Sequence, residues 1–189
     1  MRKERRNVHM QTWIGLIRGI GPSTHPVMPL RALRDRLEAA GLKSTQSLLA
    51  TGNFIFETNL PEQELQKLLN DTIRSFGLEN NVILRRPEEL AETAHRNPFA
   101  DAASDRPAKL LVLFLPGKVV STAEAAIAER AGPERFRVSG REVYIDYREG
   151  VARSKLSPAF LQRVLHQPGT ARNWNTLVKL CEASHRRVG

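Results

Sequence analysis

Apolar residues along this chain recur with two periods, two and 3.6, and the switches between them predict the order of elements. Residues 12–18 alternate bulky and small side chains as a strand does, and residues 19–29 form a loop rich in Gly and Pro. Leu30, Leu33, Leu37 and Ala40 then recur at helical spacing, with Gly41 placed to end the helix. Strands are expected at residues 47–50 and 53–58, around a Thr51-Gly52 turn in which Gly52 supplies a positive φ. Pro61 opens a second helix, whose apolar face is Leu65, Leu68, Leu69, Thr72, Ile73 and Phe76, and Gly77 ends it. A short strand at residues 82–85 completes the order β-α-β-β-α-β, that of a ferredoxin-like plait.

The rest of the chain repeats much of this pattern. Residues 87–96 read as a helix leading into a second unit, and the apolar run 109–115 as a strand covered on both faces. Ser121 suits the N-cap of an alanine-rich helix through Ala131, with Glu124 three residues on to complete a capping box. Residues 135–138 and 142–147 flank Ser139-Gly140-Arg141 as a hairpin, and helices are expected at 158–166 and 171–184. The second half therefore reads β-α-β-β-α-α. The expectation is an α+β protein of two ferredoxin-like (βαββα-type) subdomains packed together, with extra C-terminal helices. Its divisions are a flexible basic segment (1–10), a first ferredoxin-like subdomain (11–86) and a second α+β subdomain with the C-terminal helices (87–189).

A length of 189 residues fits one domain or two small ones sharing an interface. With one cysteine, Cys181, the chain can form no intrachain disulfide and no thiolate metal cage, which suits a reducing cytoplasm. No apolar run approaches the roughly 18 residues of a membrane span, so no membrane association is expected. The formal charge of +9 is concentrated at the ends: residues 1–7 carry a net +3 and Arg186 and Arg187 another +2. The remaining +4 is mild, the basic tail reads as a solvated end, and Met10 is an alternative start just before the first strand. Oligomeric state is left open.

The densest concentration of polar chemistry is Thr170-Ala171-Arg172-Asn173-Trp174-Asn175-Thr176, read as the start of the last helix with Thr170 as N-cap. On that wheel Trp174, Leu177, Val178 and Cys181 form an apolar face, and Arg172, Asn175, Thr176 and Lys179 lie opposite. A helix start with free N–H groups, a positive dipole end and an adjacent arginine can grip a phosphate or carboxylate. The competing reading is a structural clasp, in which Arg172 pairs with an acid of the other half and the amides cap loops.

Arg18-Gly19-Ile20, Thr51-Gly52-Asn53, Asn97-Pro98-Phe99, Ser154-Lys155-Leu156 and the Thr170–Thr176 stretch occur in an order that resembles the bacterial proteins called domain of unknown function family 1697. The similarity runs from about Gln11 to Leu180, and its last motif is the most specific. The resemblance implies an α+β fold of two plait-like units and no established activity. Two departures stand out. Relatives usually continue Arg-Gly-Ile with Asn-Val-Gly-Gly and a lysine-containing turn, where this chain has Gly21-Pro22-Ser23-Thr24-His25-Pro26. The prolines remove backbone donors from that loop. The family's usual Ser-Gly-Asn is here Thr51-Gly52-Asn53, which keeps the hydroxyl.

Other chemistry is less favoured. The five histidines show no zinc-type spacing, so no metal and no cofactor are expected. Cys181 reads as core, Ser154-Lys155 as an anion contact or turn rather than a catalytic dyad, and Asp146 shows no partner acid or base. Phe54 and Phe56 read as core rather than base-stacking aromatics. The preferred expectation is a phosphate-bearing ligand, a small molecule or nucleic acid, held between the halves by Arg18, Asn53, Lys155, Arg172, Asn173 and Asn175. The alternatives are an enzyme acting on a small phosphorylated or carboxylated metabolite, and the purely structural clasp.

Overall fold

Two antiparallel four-stranded sheets carry the fold. The computed structural model describes residues 10–187, so the expected basic segment lies, apart from Met10, outside the described residues. The first half runs β1 (Gln11–Ile17), α1 (Leu30–Ala39), β2 (Lys43–Leu48), β3 (Asn53–Thr58), α2 (Glu62–Arg74) and β4 (Val82–Arg85), with strand order β2-β3-β1-β4. This is the element order that the hydrophobic periods predict. The largest shift is β2, which begins at Lys43 and absorbs a register change between Lys43 and Gln46.

The second half runs α3 (Pro87–His95), α4 (Ala100–Asp105), β5 (Leu110–Phe114), α5 (Ser121–Arg130), β6 (Arg135–Ser139) and β7 (Glu142–Asp146). After a 3-10 turn at Val151–Arg153 come α6 (Pro158–Leu165), β8 (Thr170–Asn173) and α7 (Trp174–His185). Its strand order, β6-β7-β5-β8, reproduces that of the first half position for position. The chain is thus a mixed α+β protein with seven α-helices among the described residues.

Two expectations fail locally. Thr170–Asn173 is a strand rather than a first helical turn, because its backbone pairs antiparallel with Leu111–Phe114. A ladder to an inner strand outweighs the local capping signal of Thr170. Asn173, not Thr170, is the N-cap of the last helix, its side chain accepting a hydrogen bond from the Thr176 N–H at 3.0 Å. Ser121 is likewise the first helical residue of α5, preceded by Val120 as N-cap, without the expected side-chain cap.

Three apolar clusters order the layers. The outer face of the first sheet, with Trp13, Ile17, Phe54, Phe56, Val82 and Leu84, packs under α1 and α2. The outer face of the second, with Val143, Ile145 and Tyr147, packs with Ile127 of α5 and Leu161 and Leu165 of α6. Between them a shared core joins Ile14, Leu16, Ile55 and Ile83 to Val112, Phe114 and Tyr144, with Leu90 of α3 and Leu177 and Leu180 of α7. The buried face of α7 therefore includes Thr176, Leu177, Leu180 and Ala183, not the Trp174–Cys181 stripe alone.

Gly52 sits where the halves meet, at φ +73°, and a Cβ there would lie 2.7 Å from Ile20 Cγ1 and 3.0 Å from the Ile17 carbonyl oxygen. Left-handed backbone costs an L residue about 1–2 kcal/mol even without crowding. Gly52→Ala should therefore lower the unfolding free energy by about 2 kcal/mol or more in urea titration. Gly140→Ala, also at positive φ (+63°) but with nothing near its Cβ position, should lose distinctly less. Equal losses would mean that crowding against Ile17 and Ile20 carries no weight.

Candidate functional site

Antiparallel register settles where the side chains of β8 go. Arg172 stands opposite Val112 and shares its face, toward the first sheet, whereas Ala171 stands opposite Leu113 on the outer face. Arg172 is 8% exposed, and every donor of its guanidinium has a use. Nε donates to Asn53 Oδ1 at 2.5 Å, and Nη1 to Thr170 Oγ1 at 2.7 Å and the Ala171 carbonyl at 2.8 Å. Nη2 crosses to the first half and donates to the carbonyls of Ile17 at 2.9 Å and Thr51 at 3.1 Å. Among the described residues no carboxylate forms an ion pair with Arg172, so the acidic partner that a clasp was expected to use is replaced by neutral oxygens. Burial pushes its pKa down to about 10, and the group stays charged at neutral pH.

Asn53 is equally committed. It is fully buried, and its Nδ2 donates to the Leu48 carbonyl and to Thr51 Oγ1, each at 3.0 Å. A second buried arginine makes the reciprocal crossing. Arg85, at the end of β4, donates to the Leu115 carbonyl at 2.8 Å and to Glu142 Oε1 at 2.8 Å, both in the second half. The fourth strand of each sheet thus sends an arginine into the opposite half.

Beside Arg172 opens a cleft of about 290 Å³. Its floor is Leu111, Leu113 and Ile145 of the second sheet, with Leu161 and Leu165 of α6 as one wall and Gly169 and Ala171 of the β8 segment opposite. Arg18 of the first half stands at the rim, its Nη2 donating to Gln162 Oε1 at 2.5 Å. Among the described residues Arg18 has no carboxylate partner. A second recess, lined by Thr51, Ala108, Val151, Arg172, Asn173 and Thr176 among others, shares Arg172 with the cleft.

The structure brings some predicted site residues together and separates others. Asn53 and Arg172 meet directly, Arg18 and Arg172 line the same cleft, and Asn173 lines the recess while capping α7. Asn175 is exposed on α7 and lines neither space. Lys155 is also exposed and outside both, near Glu134, whose carboxyl is held below the usual range, against the effect of burial, by hydrogen bonds from Ser154 and the backbone more than by Lys155. Sequence reasoning missed the leucines, Gln162 and Gln167. Their signal was present only in the small residues Gly169 and Ala171 beside an apolar strand. The 109–115 strand is not covered on both faces, since Leu111 and Leu113 are only half-buried.

Other candidates resolve structurally. Asp146 is fully buried and bonded to Arg106 at 2.6 Å and Arg135 at 2.8 Å, partners invisible in sequence. Those guanidiniums hold its carboxyl below the usual range against the opposing effect of burial. Burial pushes the Cys181 thiol up to about 11, which keeps it protonated and unreactive at neutral pH. Phe54 and Phe56 are buried under α1 and α2, out of reach of a nucleic acid base. Among the described residues no cluster of three His, Cys, Asp or Glu side chains could hold a metal ion, and no helix is long and apolar enough to cross a membrane.

Residues 10–144 match the sequence pattern of a family described as "Protein of unknown function (DUF1697)". The matched span includes the Arg18, Thr51 and Asn97 motifs, while the Ser154 and Thr170 motifs lie beyond it. No curated protein matches the chain. Among solved structures, the conserved bacterial protein SP0830 from Streptococcus pneumoniae is similar, with a TM-score of 0.72 and 19% identity over 94% of this chain and 99% of that one. At that identity the likeness shows the fold alone.

The bonding of Arg172 makes a definite demand on stability. Arg172→Lys supplies at most three donors and no fork, leaving buried oxygens unpaired at about 1–3 kcal/mol each. Its unfolding free energy should fall by about 2–4 kcal/mol in urea titration, whereas exposed Lys179→Ala should stay within about 0.5 kcal/mol of the parent. An Arg172→Lys variant as stable as the parent would remove the clasp.

Proposed function

The chain belongs to the DUF1697 family of proteins of unknown function, and we propose that it binds a small ligand through a phosphate or other anionic group at Arg18, in the cleft between its halves. The observation that carries this reading is the cleft itself: a concave apolar space whose charged rim residue has spare donors and no carboxylate partner among the described residues. A space of about 290 Å³ suits a small molecule better than a nucleic acid strand. Of the formal net charge of +9, residues 1–7 and 186–187 carry +5, which leaves only +4 for the rest of the chain. Binding is favoured over catalysis because, among the described residues, the cleft lining contains no His, Cys, Asp, Glu, Lys or Ser. The phenol of Tyr147 is held by the Leu156 carbonyl at 2.9 Å, and burial raises its pKa further from neutrality.

A second reading applies to the buried part of the motif. The saturation of Arg172 and Asn53 by internal partners favours a structural clasp for those two residues, leaving Arg18 as the ligand contact. Each half is best read as a ferredoxin-like plait, supported by the repeated strand order and by helices on each outer sheet face. The single cysteine supports a cytoplasmic setting.

Calorimetric titration with a panel of phosphate monoesters tests the proposal. Arg18→Ala should weaken binding about tenfold, the loss of one charge-assisted contact, while Lys155→Ala and Asn175→Ala stay within about twofold of the parent. Binding that is indifferent to Arg18, or that collapses steeply with salt for oligonucleotides but is absent for monoesters, would overturn it.

A further inference from the structure

The internal repeat supplies its own control for the cleft. In the first half, the helix between the third and fourth strands is α2, 13 residues long, and it helps seal the outer face of β1 so completely that Trp13 and Ile17 are each 2% exposed. Its counterpart in the second half is α6, only 8 residues long. The outward positions of β4 are Val82 and Leu84, whereas those of β8 are Ala171 and Asn173, the latter turned to capping α7. Less helix and less side-chain bulk therefore cover the second sheet, and Leu111 and Leu113 of an inner strand remain half-buried. Gly169 reinforces this: a Cβ there would sit 2.7 Å from Leu113 Cδ1 and 2.8 Å from Leu115 Cδ2, so bare backbone lies against the leucines.

Most polar groups deep in the cleft are already taken, whereas the Gln162 amide N–H2 beside Arg18 has no hydrogen bond among the described residues. Gln167 accepts from the Gly117 N–H at 2.8 Å and donates to the Lys118 carbonyl at 3.3 Å. The Tyr147 hydroxyl donates to the Leu156 carbonyl, and the Thr170 hydroxyl oxygen accepts from Arg172. Arg18, on the lining, makes one side-chain hydrogen bond, to Gln162, and its remaining donors have no side-chain partner among the described residues. Such a surface offers one anchor for negative charge and an apolar bed behind it. A ribose or base laid on that bed would bury hydroxyls and amines without partners, at about 1–3 kcal/mol each. Each methylene placed there instead gains about 0.8 kcal/mol.

We infer, resting on the binding reading above, that the ligand is a small amphipathic anion: a carboxylate or phosphate monoester head at Arg18, with an alkyl body lying on Leu111 and Leu113. A cleft of about 290 Å³ holds on the order of ten groups of water or methylene size.

Octanoate, octyl phosphate, inorganic phosphate and AMP, each titrated into the full chain by calorimetry below micelle-forming concentrations, separate the possibilities. One of the two octyl compounds should bind at least tenfold tighter than inorganic phosphate and AMP, and the better of the two assigns the head group. Ala171→Phe should erase that advantage by filling the cleft from an exposed strand position. Arg18→Gln should weaken the octyl compound about tenfold. Should Ala171→Phe fail to fold, the methyl resonances of Leu111, Leu113, Leu161 and Leu165 in the parent protein provide the second readout, shifting with the octyl compound and not with AMP. Equal or tighter binding of AMP or inorganic phosphate, still dependent on Arg18, would overturn this inference and leave the anion-binding reading standing. Octyl binding indifferent to Arg18, or no binding by any probe, would overturn both.

Discussion

A buried guanidinium with no carboxylate beside it is the constraint on which this structure turns. Taking an isolated ion out of water costs several kcal/mol, and a low-dielectric interior tolerates it only when its donors are met. Arg172 is met by dipoles instead of a charge: two carbonyls from the first half, one from its own strand, an amide oxygen and a hydroxyl. Those oxygens come from the end of β1, the β2–β3 turn, the head of β3 and β8 itself, segments far apart in sequence. The hydrogen bonds are saturated only when the two sheets adopt one relative placement. Arg85 applies the same logic in the opposite direction, with Glu142 as a true counter-ion. Two interlocked arginines fix the halves more tightly than the apolar core between them could, since apolar contact is non-directional.

The repeated topology shows how one architecture serves two ends. In the first half the outer sheet face is closed by long amphipathic helices, and its buried side chains are ordinary core. In the second the same position is served by a shorter helix and by Gly169 and Ala171, so the covering layer stops before the sheet does. A protein interior packs close to crystalline density, and an unfilled apolar recess forfeits dispersion contacts. One strand order thus carries a sealed outer face in one half and an open recess in the other.

Much of the fold was legible because each half spells its elements by period. β3 and β4 agree with their sequence-based limits to the residue, and α1, α2 and α3 differ by a residue or two. The failure at residues 170–173 is instructive. Thr170, Arg172 and Asn173 look like a polar helix start, and only the partner strand, nearly sixty residues earlier, makes them a ladder. No local signal records that pairing, although the missing eighth strand would have been demanded had the repeat been taken literally. Site residues divide the same way. Arg172 and Asn53 are conspicuous in sequence by their chemistry, but the partners that take up their donors are not, since carbonyls carry no sequence signature. Asn175 and Lys155 stand beside conspicuous residues in sequence, yet both lie at exposed positions outside the cleft and the recess. The cleft left almost no trace, because its defining feature is the side chains that are absent.

The clasp and the cleft are mechanically one object. Arg172 grips the Ile17 carbonyl, and the next residue is Arg18, the charged group at the cleft rim. The Arg18 carbonyl is in turn held by Asn80 Nδ2 at 2.6 Å, and its N–H donates to the Asn81 carbonyl at 2.9 Å. The backbone that bears Arg18 is therefore pinned on both sides, while its side chain crosses to α6 of the other half. Ordering a long charged side chain and two domains at the moment of binding would consume affinity, and a rim fixed in advance avoids that cost. On the proposed reading, a buried arginine that contacts no ligand still shapes binding. It does so by deciding where the neighbouring arginine stands.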